Sequence, residues 1–254
     1  MKISQNAGFP DLSIIICSKN DLLGLKRTLN SLLIESSLCI ELILVVADYS
    51  DDEISELSRT YNLFDQKIFR PKKEGLYEAM NFGLKRAIGE FVFFLNGGDE
   101  LADMHALEEL ALSLHGRSWG YGALLTVDDS TGKKKIYKFK PYILNFHRLG
   151  IKFVPHPSTL VRREEILKFG GFEPEIKIAS DQDLLLKFAK AEKPFVSKSV
   201  ISIFYLGGTS TRSAEEIVTD FKKLSFKNFG YILNSKKIDS YVWRILLIAR
   251  LILS

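Results

Sequence analysis

Clusters of short polar side chains occur three times in the first 100 residues, each after a continuous apolar run. The clusters are Ser18–Asn20, Asp48–Asp52 and Asn96–Glu100. Their carboxylates and amides could accept hydrogen bonds from a ribose or a base, or hold a hard cation between phosphate oxygens. A single cluster of this kind is also typical of helix caps and turns. Three clusters after successive apolar runs favour a ligand site.

The apolar runs before these clusters indicate buried strands with helices between them. They are Leu12–Cys17, Glu41–Val46 and Phe91–Leu95. Leucines at helical spacing, from Leu22 to Leu33, follow the first run. This alternation predicts an α/β fold with βαβ units and a parallel sheet. Ligands bind such sheets beyond the carboxyl ends of the strands, where the three polar clusters lie.

The second half of the sequence predicts a mixed arrangement of strands and helices. Two strand-like segments flank a turn at Thr131-Gly132 and indicate a hairpin. The other predicted elements are helices at 103–114, 163–169 and 180–191 and strands at 158–161 and 195–205.

Composition is ordinary for a globular domain: of 254 residues, 46% are apolar and 26% are charged. No apolar run reaches the roughly 18 residues that span a bilayer. The polar start, Met1–Asp11, lacks the core of a signal peptide, so we expect a cytoplasmic protein. Cys17 and Cys39 adjoin apolar runs and are predicted to be small core residues rather than a disulfide pair.

Charge is unevenly distributed along the chain, although the formal total is only +4. After Asp220, lysine and arginine are frequent and Asp239 is the only acid. The near-neutral body argues against a nucleic-acid partner. The basic tail is expected to meet something anionic.

The ordered motifs resemble family 2 glycosyltransferases of the GT-A fold, over about residues 12–211. The resemblance begins with an apolar strand followed by Asn20 and continues through the acid-rich turn at Asp48. Two further segments, Glu74–Gly83 (EGLYEAMNFG) and Phe94–Asp99 (FLNGGD), resemble the subgroup found in colanic-acid, capsule and O-antigen gene clusters. The expected fold is a Rossmann-like, mostly parallel sheet flanked by helices, with a mixed acceptor-side half and a C-terminal helical tail.

The resemblance implies a set of donor-binding residues. Those expected to line the nucleotide pocket are Ser18, Asn20, Asp48 and Asp52. Those expected to close over the donor sugar are Gly75, Ala79, Asn81 and Gly83. A Gly-Gly-x-Ser loop, Gly207–Ser210, would fold over the diphosphate with Arg212 as a phosphate contact. Arg70, Lys72 and Lys73 could steer phosphate, or could belong to a solvated loop.

The metal motif departs from the Asp-x-Asp pattern that is usual in the family. Here the positions are Asn96, Gly97, Gly98 and Asp99, with one carboxylate. One carboxylate with phosphates and waters can still hold Mg²⁺ or Mn²⁺. Asp99 is therefore the predicted metal ligand with Asn96 beside it, and Glu100 is expected to be a solvated acid leading a helix.

Asp181 is the predicted catalytic base. It matches the Asp of the Glu-Asp pair that the family places at the start of a helix, and Ser180 replaces the Glu. The alternative is that Ser180 and Asp181 only cap that helix. In the subgroup, a His at the position of His156 faces donor and acceptor, whereas a lone His is more often structural. Asp183 and the segment 170–172 are expected to be scaffold.

The domain prediction divides the chain at residue 212. Residues 1–211 form the catalytic domain, with a nucleotide-sugar half at 12–100 and an acceptor half at 101–211. Residues 212–254 form a helical tail whose end, Ser240–Ser254, is apolar with Arg244 and Arg250. This tail could lie on an anionic membrane surface, as a peripheral protein would, or pack on protein.

The leading functional hypothesis is an inverting glycosyltransferase of bacterial surface polysaccharide synthesis. It would move a sugar from a nucleoside-diphosphate sugar, with UDP-sugars favoured, to a glycan acceptor on a lipid carrier. One alternative is a non-catalytic nucleotide- or sugar-binding protein, because the metal motif is reduced. Another is a nucleotidyltransferase, but Cys17–Asn20 lacks the glycines that such an enzyme would place after the first strand.

Overall fold

A computed structural model describes residues 10–61, 65–72, 75–176, 179–206 and 213–253. Within these ranges nine strands form one sheet. The strands are β1 Leu12–Lys19, β2 Ile40–Ala47, β3 Asp65–Phe69, β4 Phe91–Asn96, β5 Glu100–Leu101, β6 Trp119–Asp128, β7 Lys134–Tyr137, β8 Thr159–Arg162 and β9 Phe195–Leu206. The helices are α1 Leu22–Asn30, α2 Asp51–Thr60, α3 Leu76–Leu84, α4 Met104–Ser113, α5 Leu144–Arg148, α6 Arg163–Lys168, α7 Ser180–Ala191, α8 Ala214–Phe229 and α9 Lys236–Leu253.

The sheet has a parallel half and a mixed half, as predicted. Its strand order is β3-β2-β1-β4-β8-β6-β9-β5, with β7 paired to β6 as the predicted hairpin. Strands β1 to β4 are parallel to their neighbours in the first half. Strand β8 runs antiparallel to both β4 and β6, and β5 runs antiparallel to β9. The predicted α/β class with a mixed second half is confirmed.

Both faces of the sheet are buried, which explains why its central strands are continuously apolar. In β1, Ile14 and Ile16 pack in the core on one face while Ile15 and Cys17 pack on the other. Gly83 of α3 lies against Ile15, and a Cβ at this glycine would collide with that side chain. Gly83 therefore lets α3 approach the sheet closely.

Two sequence predictions were wrong in detail. Cys39 is exposed, because it precedes β2 instead of lying within it; Cys17 is buried, and both are free thiols. Glu100 does not lead a helix but begins β5, where it accepts a hydrogen bond from the Tyr205 hydroxyl. The hydrophobic pattern did not reveal α5, because five residues are too few to show a helical period.

The C-terminal helices pack on the body and on each other. Asn228 of α8 donates to buried Asp183 of α7 over 2.8 Å, and Lys227 pairs with the same carboxylate over 3.0 Å. The Trp243 side chain of α9 is buried in a cluster that includes Val218 and Phe221 of α8. Among the described residues, no helix combines the length and apolarity needed to cross a membrane.

Candidate active site

The ends of the central parallel strands bring the three polar clusters together. Cys17 of β1 is in register with Asn96 of β4, and Lys19 is in register with Ala47 of β2. Immediately beyond β4, Gly97 lies so close to Ser18 that a Cβ would collide with its hydroxyl. The sequence therefore places these segments at one edge of the sheet, as expected from parallel topology.

Ser18 is fixed by a tyrosine that the sequence analysis did not single out. The Ser18 and Tyr49 hydroxyl oxygens lie 2.6 Å apart, and the backbone N–H of Asp21 donates to the Tyr49 hydroxyl over 3.1 Å. Tyr49 is buried and links the first strand end to the second. In the sequence, the only sign of this role was its position inside the polar cluster Asp48–Asp52.

Asn20 and Asp48 both adopt left-handed backbone conformations, with φ of 47° and 60°. Asn and Asp tolerate this conformation better than most residues, so both can serve sharp turns at strand ends. Asp48 is exposed and pairs with Lys19 over 3.3 Å. Asp52 is exposed in the first turn of α2, whose N-cap is Ser50. These polar groups line the outer part of the strand-end region.

Thr28 of α1 holds the turn that follows β4. Its buried hydroxyl donates to the carbonyl of Asp99 over 2.7 Å and accepts the N–H of Gly98 over 2.9 Å. It also lies 3.3 Å from the Asn96 carbonyl. A threonine inside a predicted helix gives no sign of this role, so sequence reasoning missed it.

Asp99 is almost fully buried at this turn. Burial raises the pKa of its carboxyl to about 7, although the Tyr205 N–H, nearby Arg27 and the Asn96 side chain favour the charged form. The Asn96 Oδ1 atom is buried and has no hydrogen-bond partner among the described residues. Carboxylate and amide oxygens suit Mg²⁺ and Mn²⁺, so this orphaned oxygen beside Asp99 fits a hard cation. No group of three or more His, Cys, Asp or Glu residues suited to a metal occurs in the described ranges.

The start of α3 follows, along the chain, the segment that carries the predicted phosphate contacts. Gly75 has φ of 115° and precedes the helix without a side-chain cap, so glycine is required by the backbone. Lys72 is exposed, whereas Arg70 is engaged with the Asp51 carboxylate and the Tyr49 carbonyl. Arg70 thus braces the second strand end and is less available to a ligand than Lys72.

Asn81 braces a loop with its side-chain amide. Its Nδ2 donates to the Phe172 carbonyl over 2.8 Å, and its Oδ1 accepts the Phe172 N–H over 2.9 Å. Both hydrogen bonds hold the loop carrying Gly171, which has φ of 79°. Phe172 in turn stacks on Tyr77 with ring centroids 5.6 Å apart.

Asp181 begins α7 and receives two side-chain hydrogen bonds. The Tyr77 hydroxyl donates to its Oδ1 over 3.0 Å, and Gln182 Nε2 donates to its Oδ2 over 2.9 Å. His156 stacks on Phe94 with ring centroids 5.6 Å apart. Burial lowers the pKa of His156, and the charge of Asp181 opposes this shift. Phe94 lies two residues before Asn96 in β4, so the stacked pair of His156 and Phe94 lies near the strand-end region.

Three predicted residues, Gly207, Gly208 and Arg212, lie outside the described residues, as does Lys73. Most of the other predicted site residues lie either at the strand ends or around Asp181, whereas Lys72 and Gly75 lie just before α3. A separate surface cavity lies between the segment Glu173–Ile176 and α8. None of the predicted donor-binding residues that the structure describes lines this cavity, so we do not assign the site there.

Comparisons with known proteins identify the family and the fold. The family described as Glycosyl transferase family 2 matches residues 13–167, more than half of the chain. An uncharacterized glycosyltransferase of Mycobacterium tuberculosis is 27% identical over 237 residues, covering 91% of this chain and 88% of the relative.

Solved structures show the same fold. Staphylococcus aureus TarS 1–349 in complex with UDP has a TM-score of 0.65 at 18% identity, covering 86% of this chain and 66% of that chain. A mannosyltransferase of Pyrobaculum calidifontis in complex with GDP-Man and Mn²⁺ has a TM-score of 0.63 at 16% identity, covering 85% and 64%. This chain therefore spans about two thirds of those solved chains. The fold is that of GT-A glycosyltransferases, and the chain belongs to glycosyl transferase family 2.

Proposed function

We propose that this protein is an inverting glycosyltransferase that uses a nucleoside-diphosphate sugar. The observation that carries the proposal is the position of Asp181. Its carboxylate accepts hydrogen bonds from Tyr77 and Gln182. Its charge also acts on the His156 ring, which stacks on Phe94 of β4, the strand that ends at Asn96. Single displacement needs a base near the acceptor hydroxyl, and a carboxylate beside the proposed nucleotide site could supply it.

The donor would lie across the strand ends. Hydroxyl, amide and carboxylate groups for the base and ribose would come from Ser18, Asn20, Asp48 and Asp52. These residues follow the carboxyl ends of parallel strands, where such sheets bind ligands. Lys72 and the start of α3 at Gly75 would meet the diphosphate, because a helix N-terminus attracts anions. We extend this binding region to Gly207, Gly208 and Arg212 on the basis of sequence alone. The solved neighbours in complex with UDP and UDP-GlcNAc support a UDP-sugar donor.

A divalent cation would be held by Asp99 and Asn96, with diphosphate oxygens and waters as the remaining ligands. A bound Mg²⁺ or Mn²⁺ ion would neutralise charge on the leaving diphosphate. The neighbour in complex with GDP-Man and Mn²⁺ supports this assignment. Thr28 would position the Asp99 turn, and Arg27 would favour the charged form of the Asp99 carboxyl.

Asp181 would accept the proton of the acceptor hydroxyl as that oxygen attacks the anomeric carbon. The bond to the diphosphate breaks on the opposite face of the sugar, so the anomeric configuration inverts. His156, with its pKa lowered by burial, would be a neutral hydrogen-bonding group near the reacting sugar. Asn81 would act by bracing the loop that holds Phe172 against Tyr77 and His156.

The acceptor would be a glycan on a lipid carrier, in the synthesis of a bacterial surface polysaccharide of the colanic-acid, capsule or O-antigen kind. This part of the proposal depends on α9. Four of its apolar side chains remain exposed at helical spacing although Trp243 is buried: Ile238, Tyr241, Ile245 and Ile248. We call these four residues the apolar stripe.

Exposed Lys237 and Arg244 lie one turn from Tyr241 and flank the apolar stripe. An apolar helix face beside cations fits an anionic membrane surface. We therefore place the protein at the cytoplasmic face of a membrane, bound peripherally through residues 222–254. The tail would form a unit distinct from the catalytic region 1–211.

Turnover of a donor panel tests the proposed activity. Release of nucleoside diphosphate and the anomeric configuration of the free sugar would be followed by NMR for UDP-, GDP- and dTDP-sugars, with Mn²⁺, Mg²⁺ or EDTA. We expect one donor to be hydrolysed slowly with inversion and metal dependence. Retention of configuration would contradict the mechanism. Binding without turnover, even with glycan acceptors, would favour a binding protein, and absence of binding would contradict the assignment of the site.

A further inference from the structure

A chain of buried hydrogen bonds leads from Asp181 into the core. Besides its bond to Asp181, Gln182 Nε2 donates to the Val154 carbonyl over 3.0 Å. Its Oε1 lies 3.1 Å from Nε2 of His147, and Nδ1 of His147 lies 3.1 Å from the Tyr142 hydroxyl. The chain thus connects α7 to α5 and to the segment before β8.

The chemistry of the partners sets the direction of every bond in this chain. The Val154 carbonyl and the Asp181 carboxylate are both acceptors, so the Gln182 amide must turn its NH₂ group toward them. Its oxygen then faces His147, whose Nε2 must carry a proton. Burial lowers the pKa of His147 to about 4, so the ring holds one proton at neutral pH and Nδ1 accepts from Tyr142.

We propose that Gln182 and His147 are positioning residues that orient the Asp181 carboxylate for proton transfer. This inference rests on the proposed role of Asp181 as the base. The Tyr77 hydroxyl holds one carboxylate oxygen and Gln182 holds the other, so rotation of the carboxylate would break a bond at either end. His147 in turn prevents the Gln182 amide from flipping, because a flipped amide would present an N–H to the N–H of the imidazole.

A purely structural network would need only the bonds inside the core. Gln182 could bond to Val154 and His147 without contacting Asp181, which is the half-buried residue at this helix start. The bond to Asp181 is therefore the part of the chain that bears on catalysis. A misplacement of a catalytic group by about 1 Å costs on the order of 100-fold in rate.

Kinetics of four variants would test this inference with the donor that the wild type turns over. Gln182→Met keeps the side-chain length but removes the donors, and Gln182→Glu places an oxygen against the Asp181 carboxylate. We expect kcat to fall by roughly 10- to 100-fold in both, with the donor KM changed less than about 3-fold. His147→Phe should lose kcat similarly, whereas His147→Gln, which restores an N–H donor, should recover most of it.

Ser13→Ala is the matched control, because Ser13 is a buried hydrogen-bonded residue at the opposite end of β1. It should lower the free energy of unfolding without changing kcat. A folded Gln182→Met protein with kcat within about 2-fold of wild type would overturn the inference. If Asp181→Asn also kept its kcat, the assigned base itself would be wrong.

The direction of the chain has its own test, independent of turnover. Nitrogen-15 NMR of the imidazoles should show His147 as the neutral tautomer protonated at Nε2 across pH 6 to 8. In Gln182→Met this tautomeric preference should weaken. A wild-type His147 protonated at Nδ1 would overturn the proposed chain even if the transferase activity is established.

Discussion

Asp99 is both buried and the proposed metal ligand, which makes it the most informative single residue at the strand ends. Its carboxyl is 5% exposed and lies beside the orphaned Asn96 oxygen. Asp99→Asn should lower Mn²⁺ affinity in the presence of UDP by at least about 10-fold and remove metal-dependent turnover. Calorimetric titration of Mn²⁺ measures this directly.

Glu100→Gln is the control for that change, because Glu100 is the adjacent acid but accepts only from Tyr205 in the described structure. It should retain metal affinity within about 3-fold. Unchanged Mn²⁺ binding in Asp99→Asn would remove Asp99 from the metal site.

His147 should make stability depend on pH. Its pKa is about 4 in the folded protein and 6.5 when exposed, because burial disfavours the charged ring. Between these two pKa values the imidazole binds more protons in the unfolded chain than in the folded protein. The free energy of unfolding should therefore fall as pH drops from about 6.5 toward 4, by up to about 3 kcal/mol.

Urea unfolding across this pH range measures the effect of His147. His147→Gln should reduce the slope and leave the contribution of His156, whose pKa is also lowered by burial. A slope that is equal in His147→Gln and wild type would contradict the buried neutral imidazole.

At the scale of elements, the loop between α6 and α7 depends on two adjacent glycines with left-handed backbones. Gly170 has φ of 82° and open space around a Cβ, whereas a Cβ on Gly171 would collide with the Asn81 amide. Gly170→Ala should therefore cost only backbone strain, about 1 kcal/mol. Gly171→Ala should cost more and also lower kcat, because it displaces the Asn81 brace and Phe172 beside Tyr77.

Chemical denaturation of Gly170→Ala and Gly171→Ala measures the cost of each substitution to stability. Kinetics of the same two variants shows whether displacing Asn81 also lowers kcat. The account predicts that only Gly171→Ala loses activity beyond its loss of stability. Equal kinetic effects of the two substitutions would mean that the Asn81 brace does not influence the site.

For the whole molecule, the apolar stripe of α9 predicts binding to anionic lipid. Ile245→Glu with Ile248→Glu should weaken cosedimentation with phosphatidylglycerol vesicles by about 10-fold or more, because both changes place carboxylates at the lipid face. Binding should also weaken with added salt.

Leu112→Glu is the matched control for the stripe, since Leu112 is similarly exposed on α4. It should bind vesicles like the wild type. If the stripe variants bind vesicles normally but convert a dimer to a monomer, the stripe is an interface between copies and the membrane proposal is wrong.

The sequence predicted the parallel half of the molecule well, because its strands are buried on both faces and its helices repeat leucine at regular spacing. The sequence also placed Asp99 after a strand, and the family resemblance pointed to Asp181; their roles as metal ligand and base stay predictions. It did not indicate Thr28, Tyr49, Gln182 or His147. Their roles depend on contacts between residues distant along the chain, such as the 35-residue separation of His147 and Gln182, and no local pattern encodes them.

The rate of sugar transfer by Asp181→Asn tests the account most directly. Asn keeps the size of the side chain and can still accept from Tyr77, but it cannot take a proton from the acceptor. With the donor identified by the panel, we expect kcat to fall by at least about 100-fold while nucleotide affinity is retained. Asp183→Asn at the neighbouring buried ion pair serves as the control, with reduced stability but near-normal kcat. Wild-type kcat in Asp181→Asn would contradict the central claim that this carboxylate is the catalytic base.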